Sequence, residues 1–121
     1  MAGGFKELQI YQRSYAAVKA VYAMTEQFPA RERYGVTDQL RRASLSIPLN
    51  IAEGYGKKES QSEFNRYLRI ALGSANEVLV LLDFAKDMSF ISEEKHKKAY
   101  GEYEEICKMI NAFIQRTKTK H

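Results

Sequence analysis

The chain has 121 residues, 45% hydrophobic and 28% charged, which suits one soluble domain with one core. Seven glycines and two prolines are few for an all-β fold, and the single cysteine, Cys107, excludes an internal disulfide framework and a multi-cysteine zinc site. Nineteen basic and fifteen acidic side chains leave a net charge of +4, which permits an acidic partner without demanding one.

No apolar run approaches the roughly 20 residues of a membrane span. The opening residues carry no apolar signal core, so a cytoplasmic protein is the expectation.

Four segments with helical period follow one another, separated by short polar breaks. The first covers about residues 5–28. Leu8, Tyr11, Tyr15, Val18 and Tyr22 form one stripe, and Ile10, Ala17, Val21, Met24 and Phe28 a second. A helix apolar on two sides must bury more than one seam. Pro29 ends it, because the residue before a proline resists the α region.

The second segment covers about residues 37–55. Thr37 reads as its N-cap, and Val36, Leu40, Ala43, Ile47 and Ile51 as its core stripe. Pro48 falls inside the pattern and predicts a kink rather than a stop, since the period continues to Gly54. Gly54 and Gly56 read as terminators.

The third segment covers about residues 61–87. Ser60-Gln-Ser-Glu63 has the form of a capping box. Phe64, Leu68, Ala71, Ala75, Val78, Leu82 and Ala85 define its core face, and the unbroken apolar run from Val78 to Leu82 suggests burial on a second side.

The fourth covers about residues 93–117, with Ser92 as cap and His96, Ala99, Tyr103, Ile106, Ile110 and Phe113 in register. Lys118 and residues 119–121 are expected to fray. Four long helices with short connections predict an all-α, antiparallel up-down-up-down four-helix bundle filling residues 1–121.

An antiparallel second and third helix, turning near Glu59 and Ser60, sets residues whose numbers sum to about 119 at one level. That register pairs Glu53 with Arg66 and Arg42 with Glu77. It also puts Ser46 beside Gly73, a small pair that permits close backbone approach.

Catalytic readings are weak. Glu93-Glu-Lys-His96 matches the Glu-x-x-His of di-iron bundles, but such a site needs a second copy and two more carboxylates, and the chain has two histidines. Ser92-x-x-Lys95 lacks the companion motifs of serine acylases. Gly54-Tyr-Gly56-Lys57-Lys58 lacks phosphate-loop spacing and follows a helix. Cys107 has no evident base and reads as packing. Neither an enzyme, a metal nor a cofactor is expected.

Basic groups remain. Residues 30–58 hold six positive and three negative side chains. Arg41, Arg42, Lys57 and Lys58, with Arg66 and Arg69 on the third helix, are the candidate phosphate contacts. Eight tyrosines and six phenylalanines could stack on bases, but most lie on core stripes.

Three stretches carry a resemblance. These are Gln39-Leu-Arg-Arg-Ala-Ser-Leu-Ser-Ile-Pro-Leu-Asn-Ile-Ala-Glu-Gly54, Phe64-Asn-Arg-Tyr-Leu-Arg-Ile-Ala-Leu-Gly-Ser-Ala-Asn-Glu77, and Phe28-Pro29 with Tyr34-Gly35. In this order the chain, over roughly residues 5–117, resembles the four-helix bundle family of ribosomal-RNA intervening-sequence proteins. That family includes the accessory variability protein of diversity-generating retroelements. Tyr11 departs from it, standing where many relatives carry tryptophan.

The resemblance implies a homopentameric ring and non-enzymatic nucleic-acid binding, in retroelements beside a reverse transcriptase and its RNA template. The motif's asparagine, glutamate and glycine map onto Asn50, Glu53 and Gly54, read with Gly73 and Glu77 as structural. The leading expectation is thus a ring-like homo-oligomer binding RNA or DNA through phosphates. The runner-up is an adaptor ring docking a partner enzyme, and a metal or small-molecule enzyme comes third.

Overall fold

The four periodic stretches fold into four helices in a computed structural model that describes residues 4–118. They are α1 (Gln9–Thr25), α2 (Val36–Tyr55), α3 (Gln61–Asp87) and α4 (Glu93–Lys118). Short 3-10 turns at Phe5–Glu7 and Ala30–Glu32 precede α1 and α2. Each helix packs on its neighbours in the chain, and α1 closes the ring against α4, so the architecture is an up-down-up-down four-helix bundle. No helix among the described residues is long and apolar enough to cross a membrane.

The core stripes of α2 and α3 emerge as the periodicity dictates. Leu40, Ile47, Ile51, Leu68, Ala71, Ala75, Val78, Leu82 and Ala85 are fully enclosed, with Tyr103, Ile106 and Ile110 of α4 opposite them. Of the two α1 stripes, Ile10, Ala17, Val21 and Phe28 enter the core, while Tyr15 and Tyr22 stay about half exposed. The second side of the Val78–Leu82 run is not buried within the protomer, where Val80 is 68% exposed.

Local boundaries differ in instructive ways. The first segment breaks at Leu8, whose backbone is extended, and α1 ends at Thr25, ahead of Phe28. α2 begins at Val36 with Gly35 as its N-cap, so Thr37 sits inside the first turn and caps nothing. α2 runs through Pro48 unbroken. Half of the capping box forms: Ser60 Oγ accepts from the Glu63 N–H at 3.3 Å. The Glu63 carboxylate is taken by Arg66 instead, while the Ser60 N–H donates to the Lys57 carbonyl. Ser92 caps α4 by accepting from the Lys95 N–H at 3.1 Å. α4 includes Lys118, and the fraying expected of residues 119–121 lies outside the described residues.

The α2–α3 seam corrects the expected register. Neither cross-helix ion pair forms. Arg66 binds Glu63 at 3.1 Å and Arg42 binds Asp38 at 2.9 Å, each within its own helix. Among the described residues Glu53 and Glu77 make no ion pair. A partner one turn away meets a charged side chain without crossing the seam. The small-residue contact does form, displaced by one position: Ser46 Oγ lies 2.8 Å from Ser74 Oγ.

Gly73 is not the point of close approach, for a Cβ there would meet nothing within 4 Å. Gly54 is that point. A Cβ on Gly54 would stand 2.7 Å from Tyr67 Cβ and 3.1 Å from the Phe64 ring. Gly54 is therefore not a helix terminator; it lies within α2, where α3 presses on the backbone.

Across the α1–α4 seam, Arg13 forks onto Glu102 at 2.7 and 3.0 Å. The hydrogen bonds from Arg13, with its charge, hold the Glu102 carboxyl below its ordinary range, against the opposing effect of burial.

Two measurements check these contacts. Gly54→Ala should destabilise by about 1–3 kcal/mol, less the gain in helix propensity of about 1 kcal/mol, because overpacking meets a Cβ that cannot swing away. Gly101→Ala, in open space on α4, should stabilise by up to about 1 kcal/mol; urea midpoints read both. For Glu102 the folded pKa is depressed, so its contribution is complete above the unfolded carboxylate pKa of about 4.3 and is lost as pH falls through the lowered value. Solvent screening limits it to about 1 kcal/mol or less. The stability gap between the natural chain and Glu102→Gln should accordingly close between neutral and strongly acidic pH.

Candidate nucleic-acid interface

The six candidate cations do not form one patch. Lys57 and Lys58 leave the end of α2, and Arg66 stands on the second turn of α3, so the α2–α3 turn gathers all three at one end of the bundle. Arg69 is exposed one turn further on. Arg41 and Arg42 lie about 20 Å back along α2, by the rise of roughly 1.5 Å per residue from Arg42 to Tyr55.

Aromatic rings hold the cations at the turn. Lys58 Nζ sits 3.9 Å from the Tyr55 ring centroid. Arg66 lies 4.5 Å and Lys57 6.0 Å from the Tyr67 ring. A cation over an aromatic face is held electrostatically while its N–H groups stay open to an incoming oxygen. Tyr67 in turn sits on α3 where its Cβ abuts Gly54. The bundle places the last turns of α4 at this same end. Phe113 packs edge-on to Phe64, and Arg116 lies 5.3 Å from the Phe113 ring. Sequence reading did not single out Tyr55, Tyr67 or Arg116, because their grouping depends on which helix ends meet.

Acidic groups share the end. Glu63 bonds to Arg66, and those hydrogen bonds, helped by the Arg66 and Lys57 charges, keep its carboxyl below the usual range. The Arg66 guanidinium is raised correspondingly, chiefly by its bond to Glu63. A phosphate contact at Arg66 must therefore compete with a carboxylate, whereas Lys57 and Lys58 have no ion-pair partner among the described residues.

Arg41 is partly committed within the fold. Its Nε donates to Thr25 Oγ1 at 2.8 Å, and Nη2 approaches the Tyr22 carbonyl at 3.4 Å. The guanidinium also covers the Tyr22 ring at 4.5 Å and faces Glu26 at 3.8 Å. This arginine joins the last turn of α1 to α2, adding a donor to a Tyr22 carbonyl that already accepts from the Glu26 N–H. Arg42 is exposed but paired with Asp38.

The motif residues also separate. Asn50 Nδ2 donates to the Ser46 carbonyl at 2.8 Å and to Ser46 Oγ at 3.0 Å, extending the Ser46–Ser74 link into a polar strip along the seam. Gly54 is the contact described above. Glu53, Gly73 and Glu77 are exposed.

Outside this strip the α2–α3 pair is apolar on its outer side. Leu45 and Leu49 of α2 face solvent, Leu49 at 58%. On α3, Ile70, Val80 and Phe84, with Met88 just past its end, are exposed on the flank away from Asn76 and Asp83, which meet α4.

The weaker motifs resolve locally. His96 Nε2 lies 2.8 Å from Asp83 Oδ1 and its ring packs beside Tyr100, tying α4 to α3. Burial, with Glu104 nearby, pushes the Cys107 thiol up, so it stays protonated at neutral pH. Burial likewise raises the Tyr103 phenol; its hydroxyl is enclosed near Ser44, which already donates to the Arg41 carbonyl. Among the described residues no three His, Cys, Asp or Glu side chains are grouped to hold a metal.

A crystal structure of a protein of unknown function from the S23 ribosomal protein family, from Bacteroides thetaiotaomicron VPI-5482, shares this fold. Its TM-score is 0.77 at 23% identity, over 87% of this chain and 97% of that one. No curated protein matches the chain. The family model described as 23S rRNA-intervening sequence protein matches residues 6–112, from the turn before α1 almost to the end of α4. The chain thus belongs to the 23S rRNA-intervening sequence protein family.

Proposed function

We propose that this chain is a non-enzymatic nucleic-acid-binding scaffold that works as a homo-oligomer, a pentameric ring by the family resemblance, in the cytoplasm. The observation that carries the binding reading is the seating of Lys58, Lys57 and Arg66 on the Tyr55 and Tyr67 rings at one end of the bundle. Such an end offers oriented donors to phosphates and few means to distinguish bases. Ring symmetry would repeat it around one rim and multiply a weak single contact.

Self-association is supported by the outer α2–α3 face. Exposed Leu45, Leu49, Ile70, Val80, Phe84 and Met88 are more apolar surface than a solitary bundle of this size needs to show. The same face favours a second reading, an adaptor ring docking a partner such as a reverse transcriptase. Salt separates the two. Phosphate binding weakens steeply with salt, and docking on an apolar face does not.

Two variants test this reading. Replacing Lys57, Lys58 and Arg66 together by Gln should lower RNA affinity and reduce the log–log salt slope by about 2 for a single strand. Arg42→Gln, at a paired and distant site, should leave the slope unchanged. An unchanged slope in the triple variant would contradict the assignment. Val80→Glu with Phe84→Glu should leave helicity intact and shift the sedimentation coefficient to that of a single protomer.

A further inference from the structure

A second basic site lies at the opposite end of the bundle, where α1 ends and α2 begins. A cavity of about 390 Å³ opens there, lined by Thr25, Glu26, Pro29, Arg33, Thr37 and Arg41 among others. Two independent features point to an anion. The first is the incompletely capped N-terminus of α2. Gly35 stands at the N-cap and has no side chain to offer. Glu32 reaches the Val36 N–H at 3.4 Å, but the N–H groups of Thr37 and Asp38 find no acceptor among the described residues. Orphan first-turn donors and the helix dipole make such an end receptive to negative charge.

The second feature is the Thr37 side chain. It is 94% buried, its relative exposure being 6%, and it lines the cavity. Its hydroxyl has no hydrogen-bond partner among the described residues and, unlike the enclosed Tyr103 hydroxyl, stays accessible. Arg41 adds directed donors. Thr25 fixes its Nε and Tyr22 holds Nη2, which leaves Nη1 without a partner. Arg33 lines the cavity from the loop, with its guanidinium beside the Tyr34 ring. Two carboxylates oppose an anion here: Glu32, which already meets the Val36 N–H, and Glu26. Glu26 meets Arg41 only at 3.8 Å and is 72% exposed, so it can yield to a more highly charged anion.

We propose that this cavity binds a phosphate monoester, with the Thr37 hydroxyl and N–H and Arg41 Nη1 as donors and Arg33 as the second cation. A monoester dianion has the oxygens to accept from several of these donors at once, and a backbone diester carries one charge. The two sources of this chemistry are free phosphate and the terminal phosphate of a nucleic-acid strand. The strand-end form rests on the nucleic-acid reading above, whereas the site itself does not.

The test uses the full chain. Calorimetric titration with inorganic phosphate reads the site directly. Fluorescence anisotropy compares one short RNA carrying either a 5′-phosphate or a 5′-hydroxyl. Phosphate should bind saturably, and Thr37→Val, which keeps shape and loses the donor, should weaken it about tenfold. Glu26→Gln should tighten it. A preference for the 5′-phosphorylated strand that vanishes in Thr37→Val assigns the strand end. Phosphate binding sensitive to Thr37→Val without that preference assigns free phosphate. Absence of phosphate binding, or binding indifferent to both Thr37→Val and Glu26→Gln, overturns the site. The 5′-hydroxyl strand keeps the two readings apart: its salt-dependent binding depends on Lys57, Lys58 and Arg66 and should survive Thr37→Val.

Discussion

The contact between Gly54 and Tyr67 is the constraint from which much of this molecule follows. No Cβ fits between the two backbones there, so α2 and α3 are drawn together at their turn end. That proximity brings Tyr67 of α3 within 6.0 Å of Lys57, beside the local pairs of Arg66 with Tyr67 and Lys58 with Tyr55. Further along the seam the link between Ser46 and Ser74 keeps the helices level, and Asn50 completes it from within α2. A packing requirement at one glycine thereby sets a ring of α3 beside a lysine that follows α2.

Charge is spent differently at each site. At the α2–α3 turn the lysines are supported by rings and stay open to solvent, the condition for meeting a mobile polyanion. At the α1–α2 corner Arg41 is already committed to Thr25 and the Tyr22 carbonyl, so it is structural first and its remaining donors face a cavity. On the open flanks, the pairs of Arg42 with Asp38 and Arg66 with Glu63 neutralise charge locally. A modest net charge of +4 can therefore hide two distinct basic sites.

The core was legible in the sequence because burial imposes a period. Leu40, Ile47, Ile51, Leu68, Val78 and Leu82 recur as helix geometry requires, and each is enclosed. The Ser46 contact was nearly legible, since antiparallel pairing needs only a turn position. Gly54 was not. A glycine near a helix end serves equally as a terminator or as a contact, and only the distance to α3 separates the two. Arg41 looked like a surface cation because its acceptors, the Thr25 hydroxyl and the Tyr22 carbonyl, belong to a helix 16 to 19 residues earlier. The exposure of Leu45 and Leu49 was not legible because α2 already had a complete inward stripe, and only the folded bundle shows which further side chains stay outside.

The account stands or falls on whether the outer α2–α3 face is covered by further copies of the chain while the cationic end remains free. Native mass spectrometry at micromolar concentration, with and without a short RNA, tests both together. The predicted spectrum is a closed multiple of the 13.9 kDa protomer that gains RNA at low ionic strength and sheds it as salt rises. A lone protomer, or an assembly that ignores RNA at every salt concentration, would contradict it.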